Sequence, residues 1–142
     1  IKIPASLLEM AALEKIYPNF IKIITYRNAN DVLHSILKKE WFAEKHLSLS
    51  GPTLLYPYVV YETLKIPSCI PEKYYEVFTE ADELHKAVIY YCSQYEALNK
   101  VNQYYFIRYE DFTLNPITLT QQLAKALSVD LTQKSMEIIK KK

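Results

Sequence analysis

The sequence predicts an α/β domain in which helices flank a parallel β-sheet. Two short segments carry this prediction, "FIKIITY" at positions 20–26 and "YYFIRY" at positions 104–109. Both are nearly all apolar and rich in isoleucine or aromatic residues, which is typical of buried strands in a parallel sheet. Segments with helical spacing lie before, between and after them. Because two strands form only a small sheet, we expect further strands upstream, and we predict that residues 1–142 are one partial domain.

The composition fits a folded domain and argues against several classes of function. Half of the 142 residues are hydrophobic, which is enough for a packed core. The formal net charge is +1, so no nucleic-acid partner is expected, because nucleic-acid-binding domains usually carry a clear basic excess. No apolar run approaches the roughly 18 residues of a membrane span, and the first residues lack the apolar segment of a signal peptide.

The two cysteines, Cys69 and Cys92, form no CxxC or His/Cys cluster, so no metal site is predicted. We expect two reduced thiols, Cys69 in a loop and Cys92 on a helix, with a single disulfide as the alternative. Low cysteine use favours a cytoplasmic location, and a secreted or lumenal location stays open.

In the first half of the chain, a capping-box pattern at Ser6–Glu9 predicts a helix that ends before Pro18. After the first strand, a second helix is predicted from about residue 29 to 45. Its apolar stripe consists of Val32, Leu33, Ile36 and Leu37. Prolines recur in the segment 47–76, which is therefore predicted to be a loop with one short helix at about 54–64.

In the second half, the "TEAD" pattern at Thr79–Asp82 predicts the start of a long helix. The apolar face of that helix is predicted to consist of Leu84, Val88, Tyr91, Tyr95 and Leu98. After the second strand, Asn115 and Pro116 are typical of the N-cap and first position of a helix. A last short helix is predicted from Thr132 into the lysine tail.

The stretch "IITYRNANDVLHS" places polar residues where the first strand ends. Ligands bind beyond the carboxyl ends of strands in open α/β sheets. Arg27 offers a planar cation suited to phosphate, and Asn28 and Asp31 are typical of a helix N-terminus, which also attracts anions. Ser35 lies about two turns further on the same helical face. The alternative is that Arg27 pairs with Asp31 or Glu110 and that Ser35 is an ordinary surface residue; the local pattern leaves both readings open.

Three blocks of the sequence resemble the sulfotransferase family. "RNANDVLHS" is similar to the family's 3′-phosphate-binding motif, R-[ND]-P-x-D-V followed by a serine eight residues after the arginine; Arg27 and Ser35 have this spacing. "KIPASLLEMAALEKIYPNFIKII" resembles the upstream K-T-P, helix and F-P-x-A-K-F-I stretch. "YYFIRYEDFTLNPITLTQQLAKALSV" resembles the V-R-Y-E-D-L-x-x-N-P segment and its helix. Residues 41–98 match weakly, as acceptor-binding regions would.

This resemblance implies a P-loop-like sulfotransferase fold and a donor, 3′-phosphoadenosine 5′-phosphosulfate (PAPS), with no metal. Arg27 and Ser35 would hold the 3′-phosphate of PAPS or of its product PAP, and Tyr109 would lie near the nucleotide. Lys2 falls at the lysine of the K-T-P block and would stabilise charge on the transferred sulfuryl group. The alternative for Lys2 is an exposed lysine at a frayed terminus.

The sequence also departs from the family pattern. Ala29 replaces the common proline of the motif, and the glycine-, serine- or threonine-rich turn that would hold the 5′-phosphosulfate is not found. No catalytic base is recognised among the three histidines, His34, His46 and His85. Tyr91 and Tyr95 are expected in the core. Weaker candidates for an acceptor pocket are Tyr56, Tyr58 and Tyr61.

Three functions therefore stay open. The first is sulfuryl transfer to a hydroxyl or amine of a small-molecule, carbohydrate or peptide acceptor, with residues 1–142 inactive on their own. The second is a non-catalytic nucleotide-binding or protein-interaction module of the same fold, and the third is a helical interaction domain with a chance motif. Self-association through an exposed sheet edge around "FIKIITY" is also expected.

Overall fold

The computed structural model describes residues 10–52, 57–99 and 104–140. In that part of the chain, no helix is long and apolar enough to cross a membrane. The chain divides into two units: unit 1 (residues 1–20 and 29–102) and unit 2 (residues 21–28 and 103–142).

Unit 1 is mainly helical and carries one small hairpin. Its described elements are α1 (Met10–Ile16), α2 (Ala29–Lys38), α3 (Glu44–Leu47), β2 (Tyr58–Tyr61), β3 (Leu64–Pro67), a 3₁₀ turn (Glu72–Tyr74), α4 (Tyr75–Glu80) and α5 (Glu83–Leu98). Unit 2 combines a parallel strand pair with helices. Its described elements are β1 (Lys22–Tyr26), β4 (Tyr104–Arg108), α6 (Tyr109–Leu114), α7 (Pro116–Ala126) and α8 (Gln133–Lys140).

The two predicted strands pair with each other, as the sequence indicated. β1 and β4 are parallel, with a register that runs from Lys22 opposite Tyr104 to Tyr26 opposite Arg108. The carboxyl ends of both strands therefore lie at one edge of the sheet. Arg27 and Tyr109, the residues that directly follow the two strands, emerge at that edge.

The strands are less buried than the sequence suggested. Ile107 is buried, but Ile23, Tyr105 and Phe106 keep 43%, 42% and 41% of their surface exposed. Tyr26 stacks on Phe106 with ring centroids 4.3 Å apart, which covers part of one face. A parallel sheet normally has both faces covered, and in the described part of the chain this sheet has two strands. The prediction of two strands from the apolar composition is confirmed, but the predicted burial of these strands is only partial.

The core of unit 1 forms around aromatic side chains from α4, α5 and the turn after α2. Phe42 contacts Phe78 edge-on at 5.7 Å between ring centroids and Tyr90 at 5.4 Å. Phe78 is fully buried and Tyr90 is 7% exposed. Such pairs contribute roughly 0.5–1.5 kcal/mol beyond the area they bury. These contacts fix the packing of the helices in this unit.

Helix α2 ends at Lys38, so the prediction of a helix to residue 45 is wrong. Glu40 adopts φ 52°, the left-handed conformation. The N–H of Trp41 donates to the carbonyl of Ile36 at 3.3 Å, and that of Glu40 donates to the carbonyl of Leu37 at 2.9 Å. This is the Schellman pattern that closes a helix, here without a glycine. The turn directs the chain into the short helix α3.

The segment after α3 contains a hairpin, so the predicted loop with a short helix at 54–64 is wrong for its described residues. β2 and β3 are antiparallel, with Val59 opposite Ile66 and Tyr61 opposite Leu64. Val59, Val60 and Tyr61 are β-branched or aromatic, and these types favour a pleated, half-buried surface. The hairpin lacks a turn glycine, and Glu62 takes the left-handed conformation instead, at φ 52°. Without the usual turn signal, the prolines alone indicated a loop.

The long helix α5 starts directly after the predicted capping pattern at Thr79–Asp82, since Thr79 belongs to α4 and Asp82 is the N-cap, and α5 buries a different face from the one predicted. Asp82 is the N-cap, and its carboxylate accepts the N–H of His85 at 2.8 Å. Of the five residues predicted to form the apolar face, Leu98 alone is classed as buried, whereas Leu84 is 47% exposed. The buried residues of the helix are Ala87, Tyr90, Ser93, Ala97 and Leu98. The buried face thus combines three small residues with Tyr90 and Leu98, a mixture that the spacing of large apolar residues did not reveal.

The remaining elements agree with the sequence in most respects. α1 ends at Ile16, before Pro18, while the capping box at Ser6–Glu9 lies outside the described residues. Pro116 is the first residue of α7, and Asn115 is at the N-cap position without a side-chain cap bond. α8 matches the predicted last helix. The short helix α6, directly after β4, was not predicted.

Two leucines near the end of α3 test the core of unit 1. Leu47 is 1% exposed and Leu49 is 51% exposed. Leu47→Ala should lower the free energy of unfolding by roughly 2–5 kcal/mol, because it removes buried methyl groups and leaves a cavity. Leu49→Ala, the matched control, should change it by about 0.5 kcal/mol or less. Urea denaturation followed by circular dichroism measures both; equal effects would contradict this core.

Candidate phosphate-binding site at the ends of the parallel strands

The two arginines of the chain, Arg27 and Arg108, both lie at the carboxyl edge of the β1–β4 sheet. Arg108 is the last residue of β4 and is in register with Tyr26, which directly precedes Arg27. The parallel register therefore brings two permanent positive charges to the edge where α/β sheets bind ligands. The sequence motif includes Arg27 and predicts no role for Arg108.

Tyr109 lies against Arg27. The guanidinium carbon of Arg27 is 5.2 Å from the centroid of the Tyr109 ring, within the range of a cation–π contact. The ring is 47% exposed, and a contact of this kind contributes roughly 0.5–1 kcal/mol at an exposed site. The structure thus brings together two of the four predicted site residues and shows a direct contact between them.

Glu110 connects the two strand ends. One carboxylate oxygen, Oε1, accepts the backbone N–H of Asn28 at 2.8 Å. The other, Oε2, lies 3.2 Å from Nε of Arg108. The hydrogen bond from Asn28 is the largest cause that holds the pKa of Glu110 below its usual value, and the charge of Arg108 acts in the same direction. Glu110 was one of two alternative partners expected for Arg27 from the sequence; in the structure its carboxylate contacts Asn28 and Arg108.

For the other two predicted site residues, Ser35 and Lys2, the roles expected from the sequence stay predictions. Ser35 lies on α2 in unit 1 and is partly buried, whereas Arg27 belongs to unit 2. The evidence that Ser35 and Arg27 share a site is their eight-residue spacing in the sequence motif. Lys2 lies outside the described residues, so its predicted role stays a prediction.

The structure does not single out any of the three histidines as a catalytic base. Nδ1 of His85 is 2.8 Å from the carboxylate of Asp82, the N-cap of α5, and both side chains are largely exposed. This pair serves the helix terminus. Among the described residues, no group of three or more histidine, cysteine or acidic side chains is arranged to hold a metal ion.

The tyrosines that were candidates for the core or for an acceptor pocket lie in different surroundings. The expectation that Tyr95 lies in the core is wrong, because it is 39% exposed; it contacts Tyr91 on the helix surface at 5.1 Å between centroids. Tyr61 packs against Tyr75 at 5.3 Å. Tyr58 is half-exposed on the hairpin, and Tyr56 lies outside the described residues. The acceptor pocket stays a prediction.

An open depression of about 420 Å³ in unit 2 is lined by none of the residues at the strand ends. Its lining comes from α7, α8 and the segment between them: Gln121, Ala124, Lys125, Val129, Asp130, Leu131 and Met136. It contains none of the residues that the sequence motif singled out. The geometry therefore points to the strand ends, rather than to this depression, as the candidate site.

The family model for the sulfotransferase domain matches residues 8–142. The chain belongs to the sulfotransferase family, and its α/β content agrees with that assignment. The matched range includes the Arg27 and Tyr109 blocks but begins after Lys2. No curated protein and no solved structure gives a significant match. The hypothesis of a helical domain with a chance motif is therefore abandoned.

The two thiols should differ in reactivity, because they are free but unequally buried. Burial raises the pKa of Cys69 to about 11, so that at pH 8 its thiolate fraction is roughly one in a thousand. Cys92 is exposed on α5. Ellman's reagent should titrate one thiol in the native chain and two after unfolding, and the Cys92→Ser control should show none in the native state. Rapid labelling of two native thiols would contradict this placement.

Proposed function

We propose that this chain provides the 3′-phosphate-binding part of a sulfotransferase that uses PAPS as donor, in a P-loop-like version of the α/β fold. The observation that supports it most is the pairing of β1 with β4, because Arg27 and Tyr109 emerge at one edge and contact each other at 5.2 Å. The family membership supplies the reaction class, sulfuryl transfer.

The side chains at the strand ends fit a phosphate monoester. Arg27 provides a guanidinium fork that matches the geometry of phosphate oxygens, and Tyr109 contacts its cation from the neighbouring strand end. Ser35 adds a hydroxyl that hydrogen-bonds the same anion in this proposal. PAPS held at these residues would supply an activated sulfuryl group for a hydroxyl or amine of the acceptor, with PAP as the leaving group and one proton released from the acceptor; no metal is proposed. Lys2 is proposed to stabilise negative charge on the group in transfer.

A second candidate function, a nucleotide-binding module without catalysis, is favoured by the structural use of the only glycine. A Cβ atom at Gly51 would lie 2.3 Å from the carbonyl oxygen of Lys45, closer than atoms can approach. Gly51 is therefore needed for close packing after α3. An anion-binding turn for the 5′-phosphosulfate depends on close backbone approach, and this chain has no second glycine to provide it.

We propose, in addition, that the isolated chain self-associates. Ile23, Tyr105 and Phe106 are all more than 40% exposed on the two-stranded sheet. Exposed apolar strands with unpaired edges are templates for pairing with another chain. The acceptor is proposed to be a small molecule, a carbohydrate or a peptide.

Nucleotide binding is the direct test of the site. Adenosine 3′,5′-bisphosphate should bind more tightly than adenosine 5′-phosphate, because the 3′-phosphate contacts Arg27. Arg27→Ala should remove most of that preference, a loss of roughly 1.5–3 kcal/mol for a charged hydrogen-bonding partner. Lys38→Ala, which removes an exposed cation from the end of α2, should leave it intact. Calorimetry with equal affinities for both nucleotides would refute the assignment.

Residues 1–142 alone should not catalyse sulfuryl transfer, because both ends of the donor must be held for reaction and misplacement by about 1 Å costs on the order of a hundredfold in rate. The measurement is transfer from labelled donor to a panel of hydroxyl and amine acceptors. A chain extended upstream, tested in parallel, should turn over. Robust turnover by the 142-residue chain would overturn this proposal.

A further inference from the structure

We propose that Glu110 is a positioning residue that holds the turn carrying Arg27 by accepting the backbone N–H of Asn28. This inference deepens the proposed function and rests on it for its consequence in nucleotide binding. The hydrogen bond itself, which joins the turn after β1 to the first turn of α6, does not depend on that function. All the residues involved belong to unit 2.

The geometry supports a fixed bridge between the two strand ends. Oε1 of Glu110 is 2.8 Å from the nitrogen of Asn28, and the two residues are separated by 82 positions in sequence. Asn28 directly follows Arg27, so this bond fixes the backbone on the carboxyl side of the arginine. Hydrogen bonds to a carboxylate are shorter and stronger than neutral ones.

Arg108, the last residue of β4, forms an ion pair with the same carboxylate. Its Nε lies 3.2 Å from Oε2 of Glu110, and the Glu110 side chain is 26% exposed. The carboxylate is thus held from β4 by Arg108 and from the turn after β1 by Asn28, while Tyr109 and Asp111 flank it in sequence. The segment Arg108, Tyr109 and Glu110 contacts Arg27 and Asn28 in two ways, through the tyrosine ring and through the carboxylate.

If its negative charge were its only contribution, Glu110 would weaken phosphate binding instead of supporting it. A carboxylate beside a phosphate site repels the phosphate, so removal of its charge should tighten binding if charge were its whole contribution. As a positioning residue, Glu110 contributes by keeping Arg27 in place, and its removal should weaken binding. Glu110→Gln and Glu110→Ala separate the two effects, because glutamine keeps an oxygen acceptor for the Asn28 N–H and loses the charge, whereas alanine loses both.

The first experiment follows the Asn28 amide of the ¹⁵N-labelled full chain by NMR as the pH is lowered. With the carboxylate ionised, the amide proton should lie downfield, and it should move upfield as Glu110 takes up a proton, with a midpoint below the ordinary glutamate value of 4.5. The charge-assisted strengthening of this hydrogen bond is fully present above the ordinary value and is lost as the pH falls through the lowered pKa. In Glu110→Gln this titration should disappear, while Asp111→Asn, the matched control, should keep it. An Asn28 amide that does not titrate, or that titrates equally in Glu110→Gln, would overturn the bridge.

The second experiment measures binding of adenosine 3′,5′-bisphosphate by calorimetry. Glu110→Gln should bind within about threefold of the unmodified chain, and Glu110→Ala should bind about tenfold more weakly, as the loss of a charge-assisted bond implies. Equal or tighter binding by both variants would refute the positioning role and leave repulsion as the effect of Glu110. If the unmodified chain does not bind the nucleotide, the proposed function fails, and the NMR titration still decides whether the bridge exists.

Discussion

Parallel pairing of β1 with β4 is the constraint on which the candidate site depends. The strands are separated by most of the chain, and their register places Tyr26 opposite Arg108. A slip of one residue would invert the face on which every side chain of one strand lies. The same slip would move the strand ends by about 3.3 Å, enough to break the contacts of Tyr109 and Glu110 with the turn after β1. The chemistry of the site therefore depends on register more than on any one side chain.

Charge at the strand ends is balanced rather than simply positive. Arg27 and Arg108 bring two cations to the edge, and Glu110 neutralises part of this charge through its contact with Arg108. Arg27, the other cation, contacts the ring of Tyr109. The backbone N–H of Asn28 in this turn donates to the Glu110 carboxylate, so the proposed recognition of an anion by this turn rests on the guanidinium of Arg27.

The scarcity of glycine affects the whole chain. In the part of the chain that the structure describes, three turns place a residue other than glycine in the left-handed conformation, with φ between 52° and 53°: Glu40, Glu62 and Ser128. The conformation costs roughly 1–2 kcal/mol for such residues, and the surrounding hydrogen bonds offset it. At Ser128, the N–H of Val129 donates to the carbonyl of Ala124 at 2.8 Å, which closes α7 as the equivalent bond closes α2. The single glycine is placed where a side chain would collide with the carbonyl of Lys45.

The sequence by itself determined the two parallel strands, the approximate starts of α2, α5, α7 and α8, the motif at Arg27 and the family, because apolar composition, capping residues and residue spacing are local properties. It did not determine that α2 ends at Lys38, that residues 58–67 form a hairpin or which face of α5 is buried. Those features follow from long-range packing around Phe42 and Phe78, which overrides local preference. The role of Glu110 was equally inaccessible, because its partner Asn28 lies 82 residues away and only the parallel register brings the two together.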